Sequence, residues 1–245
     1  MLIENTSKIT SEIDVLVLCG GAGSRLRPLI SDRPKGMALI GGLPFLDILV
    51  DYLLKQGFGR IIFCVGHLKE QIIERFKSRN DANFKFSEES VLLGTGGAVQ
   101  NALSMVCSNP VLVLNGDSFC LFNFDELLKF HRTKASFATF VLTDPQERYD
   151  GGFVRIDGCK KVQSFLEKKS NKHPYKGFIN AGIYLLERES LAFSGLKPPF
   201  SLEYDVFPTL AKVNSCYGFV VESQLIDIGT PERYLKANND GIIKV

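Results

Sequence analysis

Between Leu18 and Leu46 the chain reads LCGGAGSRLRPLISDRPKGMALIGGLPFL, and these residue types suit the binding of phosphate. Gly20, Gly21 and Gly23 let backbone N–H groups close on an anion and permit a left-handed turn. Arg25, Arg27, Arg33 and Lys35 follow within a few residues, and guanidinium and ammonium groups supply the counter-charge. A short apolar run, Val15 to Cys19, precedes the glycines and reads as a strand, so the whole reads as a cradle for a triphosphate. Two better-known phosphate loops are excluded. The dinucleotide pattern G-x-G-x-x-G needs a third glycine where Leu26 stands, and G-x-x-x-x-G-K-[ST] is absent because Lys35 precedes Gly36. A plain strand-to-helix turn with solvated arginines is the alternative; the unbroken G-G-x-G-S-R-L-R-P followed by P-K speaks against it.

Two aspartates stand at apparent strand ends, Asp117 in VLVLNGD and Asp227 in LIDIGTP. Only the fold can bring such distant positions together, and each taken alone reads as a turn or cap residue. Positioning falls to an alternation of strands and helices from Val15 onward, which predicts an α/β, Rossmann-like, mostly parallel open sheet with helices on both faces and some mixed pairing. Pro44 to Gln56 has a helical apolar pattern stopped by Gly57. Arg60 to Val65 is an apolar strand, Lys69 to Phe76 a helix, and Val111 to Asn115 a strand buried on both faces. Asn123 and Glu126 have the spacing of a capping box opening a helix to His131. Segments 137–142, 152–156, 161–167 and 177–186 read as strands, and Pro231 opens a last helix behind Thr230. Thr95 is expected to cap a helix that follows the glycines of LGTGGA. Residues 1–13 read as a polar extension and 14–245 as one domain.

At 245 residues the chain can bury a full core, and a net charge of +2 with no basic stripe excludes a broad nucleic-acid footprint. Six cysteines lack C-x-x-C spacing, so free, buried thiols in a reducing cytoplasm are expected rather than a disulfide framework or zinc site. No apolar stretch has the length of a membrane span or the form of a secretion signal. His67, His131 and His173 match no ligand spacing.

The motif L-x-G-G-x-G-[ST]-R-L-x-P…P-K resembles that of the sugar-1-phosphate nucleotidylyltransferases, and the resemblance runs through LGTGGA at 93–98, NGD at 115–117, FLEK at 165–168, NAGIY at 180–184 and DIGTPERY at 227–234. Within the family the 31–46 stretch is most similar to the D-glycero-D-manno-heptose 1-phosphate guanylyltransferases. Gly36, where proline or alanine is usual, and Cys19, where alanine is usual, depart from the pattern and are expected to alter loop stiffness only. The resemblance implies in-line attack of a sugar 1-phosphate oxygen on the α-phosphorus of a nucleoside triphosphate, GTP favoured, with loss of pyrophosphate, in the making of a surface glycan. It implies Arg25 and Lys35 as the catalytic cations and Mg²⁺ on Asp117 and Asp227. It places Leu18, Cys19, Gly20, Gly21, Gly23, Ser24, Arg25, Glu89, Gly94 and Asn115 around the nucleotide. Gly152, Glu167, Lys168 and Asn180 fall to the sugar phosphate, with Lys168 on the phosphate and Glu167 on hydroxyls. Arg27 and Arg33 stay outside the site as loop charges.

Glu88 and Glu89 each offer a carboxylate to guanine's N1–H and amino group, or are solvated loop acids. Uridylyl, thymidylyl or cytidylyl transfer remains open. A catalytically silent regulatory relative is disfavoured by the joint presence of Arg25, Lys35, Asp117, Asp227 and Lys168, and a glycosyltransferase by Ser118-Phe119 where Asp-x-Asp would be needed. A homo-oligomer is compatible with the sequence.

Overall fold

The computed structural model describes residues 9–145, 151–168, 177–191, 193, 195–213 and 215–239. The order along the chain is β1 Asp14–Leu18, a small hairpin of β2 Leu39–Ile40 and β3 Leu43–Pro44, α1 Phe45–Lys55, β4 Arg60–Val65, α2 Lys69–Lys77, β5 Asn83–Glu88 and α3 Gly94–Ala102. Then come β6 Val111–Asn115, β7 Ser118–Phe119, α4 Phe124–Thr133, β8 Ala138–Thr143, β9 Gly151–Ile156, β10 Val162–Lys168 and β11 Phe178–Leu186. A π-helical turn, Leu202–Val206, runs into α5 Phe207–Val213, followed by β12 Cys216–Val221, β13 Ile226–Asp227 and α6 Pro231–Asn239.

The main sheet has the order β10-β9-β11-β6-β1-β4-β5, with β8 on β11 and β12 on β8. β1 pairs in parallel with both β4 and β6, β4 with β5, and β8 with β12. The pairings of β11 with β6, β8 and β9, and of β9 with β10, are antiparallel. The sheet is therefore evenly mixed rather than mostly parallel. The register of β11 against β8 shifts between Asn180 and Tyr184, and Gly182 sits there at φ +74°. A bulge at a glycine lets one long strand bend and serve several partners.

Alternation along β1 feeds two cores. Val15 and Val17 face α1, α2 and α4 through Phe45, Phe76 and Phe124. Leu16 faces α3 and α5 through Val99 and Phe207. Helices thus cover both faces. The capping box is half formed, the Asn123 side chain accepting from the Glu126 N–H at 3.2 Å. Near the N-terminus residues 9–12 form a helical turn, and Thr10 and Ile13 are buried. All six cysteines are free; Cys64, Cys120 and Cys216 are buried, whereas Cys107 and Cys159 are exposed, contrary to the expectation of burial. Among the described residues no helix is long and apolar enough to cross a membrane.

The glycines of LGTGGA have a packing cause. The backbone of Phe200 crosses the start of α3, its carbonyl accepting from the N–H groups of Gly96 (3.0 Å) and Gly97 (3.3 Å), while its own N–H donates to Leu93 O (3.1 Å). A helix start leaves N–H groups without partners, and Phe200 satisfies two of them. Gly94 lies at φ +74°, and a Cβ there would stand 2.3 Å from the Phe200 carbonyl oxygen; one on Gly96 would stand 2.3 Å from the Phe200 ring. Thr95 accordingly does not cap. It lies inside the first turn of α3, where its hydroxyl donates to Glu203 Oε2 (2.7 Å) and accepts from the Leu202 N–H (2.9 Å).

Gly96→Ala is expected to destabilise by about 1–3 kcal/mol through overpacking, lowering Tm by roughly 3–10 °C. Gly158→Ala is the control, since a Cβ there meets nothing within 4 Å. Thermal unfolding of both variants checks this; an unchanged Tm for Gly96→Ala would contradict the packing explanation.

Candidate active site

Parallel pairing sets the carboxyl ends of β1, β4 and β6 side by side, with Leu18 in register with both Cys64 and Asn115. Such an edge is where open α/β sheets bind ligands. A cleft of about 390 Å³ opens there. All ten residues expected around the nucleotide line it, together with Lys35, Gly36, Leu92, Thr95, Ala98, Gly116, Asp117 and Gly229. A larger, more open hollow of about 740 Å³ lies between residues 121–126 and 219–223. It holds none of the expected chemistry, so the smaller cleft is the candidate site.

The glycines bring backbones together. A Cβ on Gly20 would stand 2.6 Å from Glu89 Oε1 and 3.1 Å from Gly66 N, and one on Gly116 would stand 2.9 Å from Leu18 O. Gly23 turns at φ +59°, and Leu26 N donates to its carbonyl at 3.0 Å. Gly36 is buried, and a Cβ would meet Leu46 Cγ at 2.7 Å and Gly116 O at 3.1 Å. Its departure from the usual proline or alanine is therefore matched to close packing against α1, beyond any effect on loop stiffness.

Asp117 and Asp227 come together although 227 − 117 = 110 residues separate them. β7 and β13 pair antiparallel, with Asp227 opposite Ser118, and Ile228 N donates to Asp117 O at 3.0 Å. Each carboxylate meets a cation. Lys35 Nζ donates to Asp117 Oδ2. Arg233 Nη1 donates to both oxygens of Asp227 at 3.1 Å, and Gly229 N donates to Oδ1 at 2.9 Å. Gly229 is the meeting point: a Cβ on it would stand 2.8 Å from Asp227 Oδ1, 3.5 Å from Lys35 Nζ and 3.8 Å from Arg25 Nη2. Among the described residues no three His, Cys, Asp or Glu side chains converge as a ready-made metal cage. Arg33 instead pairs with Asp32 at 2.8 Å, away from this floor.

The two neighbouring acids, Glu88 and Glu89, separate. Glu88, half exposed, pairs with Lys69 at 2.8 Å and does not line the cleft. Glu89 is 9 % exposed, its Oε2 accepting from Leu93 N at 3.1 Å. Burial raises its pKa, offset in part by that hydrogen bond. Cys19 also lines the cleft; burial first, then Cys64 and Glu89, push its thiol well up, so it is held as the unreactive neutral form. His131 is buried far from the cleft between Thr139 Oγ1 (2.8 Å) and Glu187 Oε1 (3.0 Å), and burial lowers its pKa.

The expected sugar-phosphate residues fall on three adjacent strands, β10, β9 and β11. Glu167 pairs with Gly152, and Ile179 with Phe153; the side chains of Glu167 and Lys168 lie outside the described residues, as does His173. Asn180 Nδ2 donates to the Tyr184 hydroxyl (2.8 Å), and its Oδ1 accepts from Gly182 N (3.0 Å). Gly182 in turn packs on Asn115 of the cleft, whose Nδ2 lies 2.7 Å from the position of a Cβ. Neither Gly152 nor Asn180 lines the 390 Å³ cleft itself. Arg233 and Glu203 escaped sequence reading. Arg233 sits six residues after Asp227 inside a recognisable motif, whereas Glu203 carries no local signal.

A family model described as nucleotidyl transferase matches residues 14–242. The chain is 38 % identical over 224 residues to the D-glycero-alpha-D-manno-heptose 1-phosphate guanylyltransferase of Campylobacter jejuni, covering 91 % of this chain and 97 % of that one. It is 35 % identical to a mannose-1-phosphate guanyltransferase of Yarrowia lipolytica, covering 90 % of this chain but 61 % of that protein. The crystal structure of HddC from Yersinia pseudotuberculosis complexed with GMP-PN superposes with a TM-score of 0.81 at 32 % identity, covering 93 % of this chain and 99 % of that one.

The buried acid gives a titration test. Because the folded-state pKa of Glu89 is raised, the neutral acid's contribution to stability is complete below the ordinary glutamate range and is lost as pH climbs through the raised value. Glu89→Gln stays neutral and keeps an acceptor for Leu93 N. Its stability relative to wild type should therefore rise as pH climbs from the ordinary glutamate range through the raised value, and then level off. Denaturant midpoints across that range check this, and a pH-independent difference would contradict it.

Proposed function

We propose that this chain, which belongs to the sugar-1-phosphate nucleotidylyltransferase family and so transfers a nucleotidyl group to a sugar 1-phosphate, passes GMP from GTP to D-glycero-D-manno-heptose 1-phosphate. The observation that carries this reading is one cleft that holds a glycine loop, Arg25, Lys35 and Asp117 together with a buried carboxylate, Glu89. The heptose assignment is supported by similarity over 97 % of the Campylobacter enzyme, against 61 % of the mannose relative.

In the proposed reaction an oxygen of the sugar phosphate attacks the α-phosphorus in line. One P–O bond forms, the bond to the β-phosphate oxygen breaks, and pyrophosphate leaves with the electron pair. Two anions must meet, so the site's task is neutralisation and positioning. Lys35, which has three donors and gives one to Asp117, turns another to the α-phosphate. Arg25 holds the departing pyrophosphate, and the backbone at Gly20, Gly21 and Gly23 lies along the phosphates. Enzymes of this family typically use Mg²⁺. Asp117 and Asp227, brought side by side by β7 and β13, form an oxygen donor set suited to that ion once phosphate oxygens and water complete it, and it would supply charge stabilisation at the transferring phosphate.

No side chain acts as nucleophile, in keeping with the neutral Cys19 thiol. Glu89 accepts from guanine's N1–H and amino group, with the backbone at Gly94 on the base edge. Gly152, Glu167, Lys168 and Asn180 receive the sugar phosphate, and the reaction takes place in the cytoplasm.

Lys35→Ala should depress kcat more than it weakens GTP binding, because charge crowds the α-phosphate most in the transition state. One preorganised donor of this kind contributes about 3–4 kcal/mol, roughly two to three decades in rate. Steady-state pyrophosphate release checks this; a change confined to KM for GTP would make Lys35 a ground-state binder and contradict the role.

A further inference from the structure

We infer that Glu203 is a positioning residue that ties the nucleotide half of the site to the sugar half. The inference rests on the preceding reading, in which Thr95 borders the nucleotide and Asn180 the sugar. Glu203 lies on the π-helical turn Leu202–Val206 and is not among the residues lining the cleft. Its Oε2 accepts from Thr95 Oγ1 (2.7 Å) and from Ser201 Oγ (2.8 Å), and its Oε1 accepts from the Tyr184 hydroxyl (3.3 Å). The Tyr184 oxygen accepts in turn from Asn180 Nδ2 at 2.8 Å. One carboxylate thereby joins α3, a wall of the cleft, to the bulge of β11.

The sign of the charge matters as much as the contact. A carboxylate only accepts, so Thr95 and Tyr184 must both point their protons at Glu203. The Tyr184 oxygen is then left to accept the Asn180 N–H, and the Asn180 carbonyl is turned to Gly182 N (3.0 Å). This fixes which end of the Asn180 amide is nitrogen, leaving one N–H and one lone pair in set directions for sugar hydroxyls. Tyr184 is fully buried, its ring 4.7 Å from that of Phe207 and 5.9 Å from that of Phe140, so the hydroxyl oxygen is held in place. A glutamine at position 203 keeps an acceptor for one arm but directs N–H protons at the hydroxyl of the other, and the polarity of the chain of bonds would break there.

The test is steady-state kinetics with GTP and D-glycero-D-manno-heptose 1-phosphate on wild type, Tyr184→Phe, Thr95→Val and Glu203→Gln, with Asn180→Ala as the reference for the sugar half. Tyr184→Phe should raise KM for the sugar phosphate about 5- to 20-fold, with KM for GTP within about twofold. Thr95→Val should do the reverse, and Glu203→Gln should raise at least one of the two. Both KM values within about twofold of wild type in Glu203→Gln, whatever its Tm, would overturn the inference. So would an unchanged sugar KM in Tyr184→Phe beside a raised one in Asn180→Ala. If Glu203→Gln does not fold, the Tyr184 and Thr95 variants decide, since each removes one arm. Failure of the underlying reading shows elsewhere, as an inactive wild type or an unchanged sugar KM in Asn180→Ala, and overturns the inference with it.

Discussion

Parallel pairing of β1 with both β4 and β6 puts the carboxyl ends of all three strands at one edge, and the rest of the site follows from how closely their loops can then approach. Gly20, Gly66 and Gly116 each lie where a Cβ would come within about 3 Å of a neighbouring backbone atom, closer than side-chain carbons are found. With side chains there, the loop after β1 could not lie against the ends of β4 and β6, and neither Glu89 nor Lys35 would face the same cleft. Sheet order thus decides the site before any charged residue acts.

Charge is the second layer. Two aspartates held together by β7 and β13 would repel if left bare, and in this structure Asp117 is met by Lys35 and Asp227 by Arg233, with Arg25 close by. In the proposed reaction Asp117 and Asp227 would hold the divalent cation, and Lys35, Arg25 and Arg233 would be freed to meet phosphate oxygens. Little net charge then needs to be left unscreened at any stage, which is the requirement for bringing two phosphates into contact. The cleft also holds the opposite device. There a single carboxylate, Glu89, is buried with only a backbone N–H as its partner among the hydrogen bonds described above, so its remaining acceptor capacity is available to a ligand and costly to leave unused.

Much of this was legible in the sequence where the signal is local. The glycine loop, β4, β6, α1 and the start of α6 all follow from residue patterns over fewer than fifteen positions, and their bounds agree with those expected to within a residue or two. What depended on distant contacts was not legible. The packing demand on Gly94 and Gly96 comes from Phe200, about a hundred residues away, and no local pattern shows it. Glu88 and Glu89 were indistinguishable until strand β5, unremarked in the sequence, turned one towards Lys69 and the other into the cleft. The even mix of parallel and antiparallel pairs arises because β11 runs antiparallel to β6, β8 and β9, and strand direction is not written in any periodicity. Glu203 lacks any motif because its partners come from α3, β11 and its own turn.

If Glu89 selects guanine as proposed, base choice shows when wild-type protein is offered equimolar GTP, ATP, UTP, CTP and dTTP with D-glycero-D-manno-heptose 1-phosphate and Mg²⁺, and the nucleotide sugars formed are identified by mass. GDP-heptose should dominate by several orders of magnitude, as expected when a hydrogen-bonding site rejects bases that leave its acceptors unpaired. A product mixture rich in UDP- or dTDP-heptose would contradict the claim and leave base choice to the backbone around Gly94.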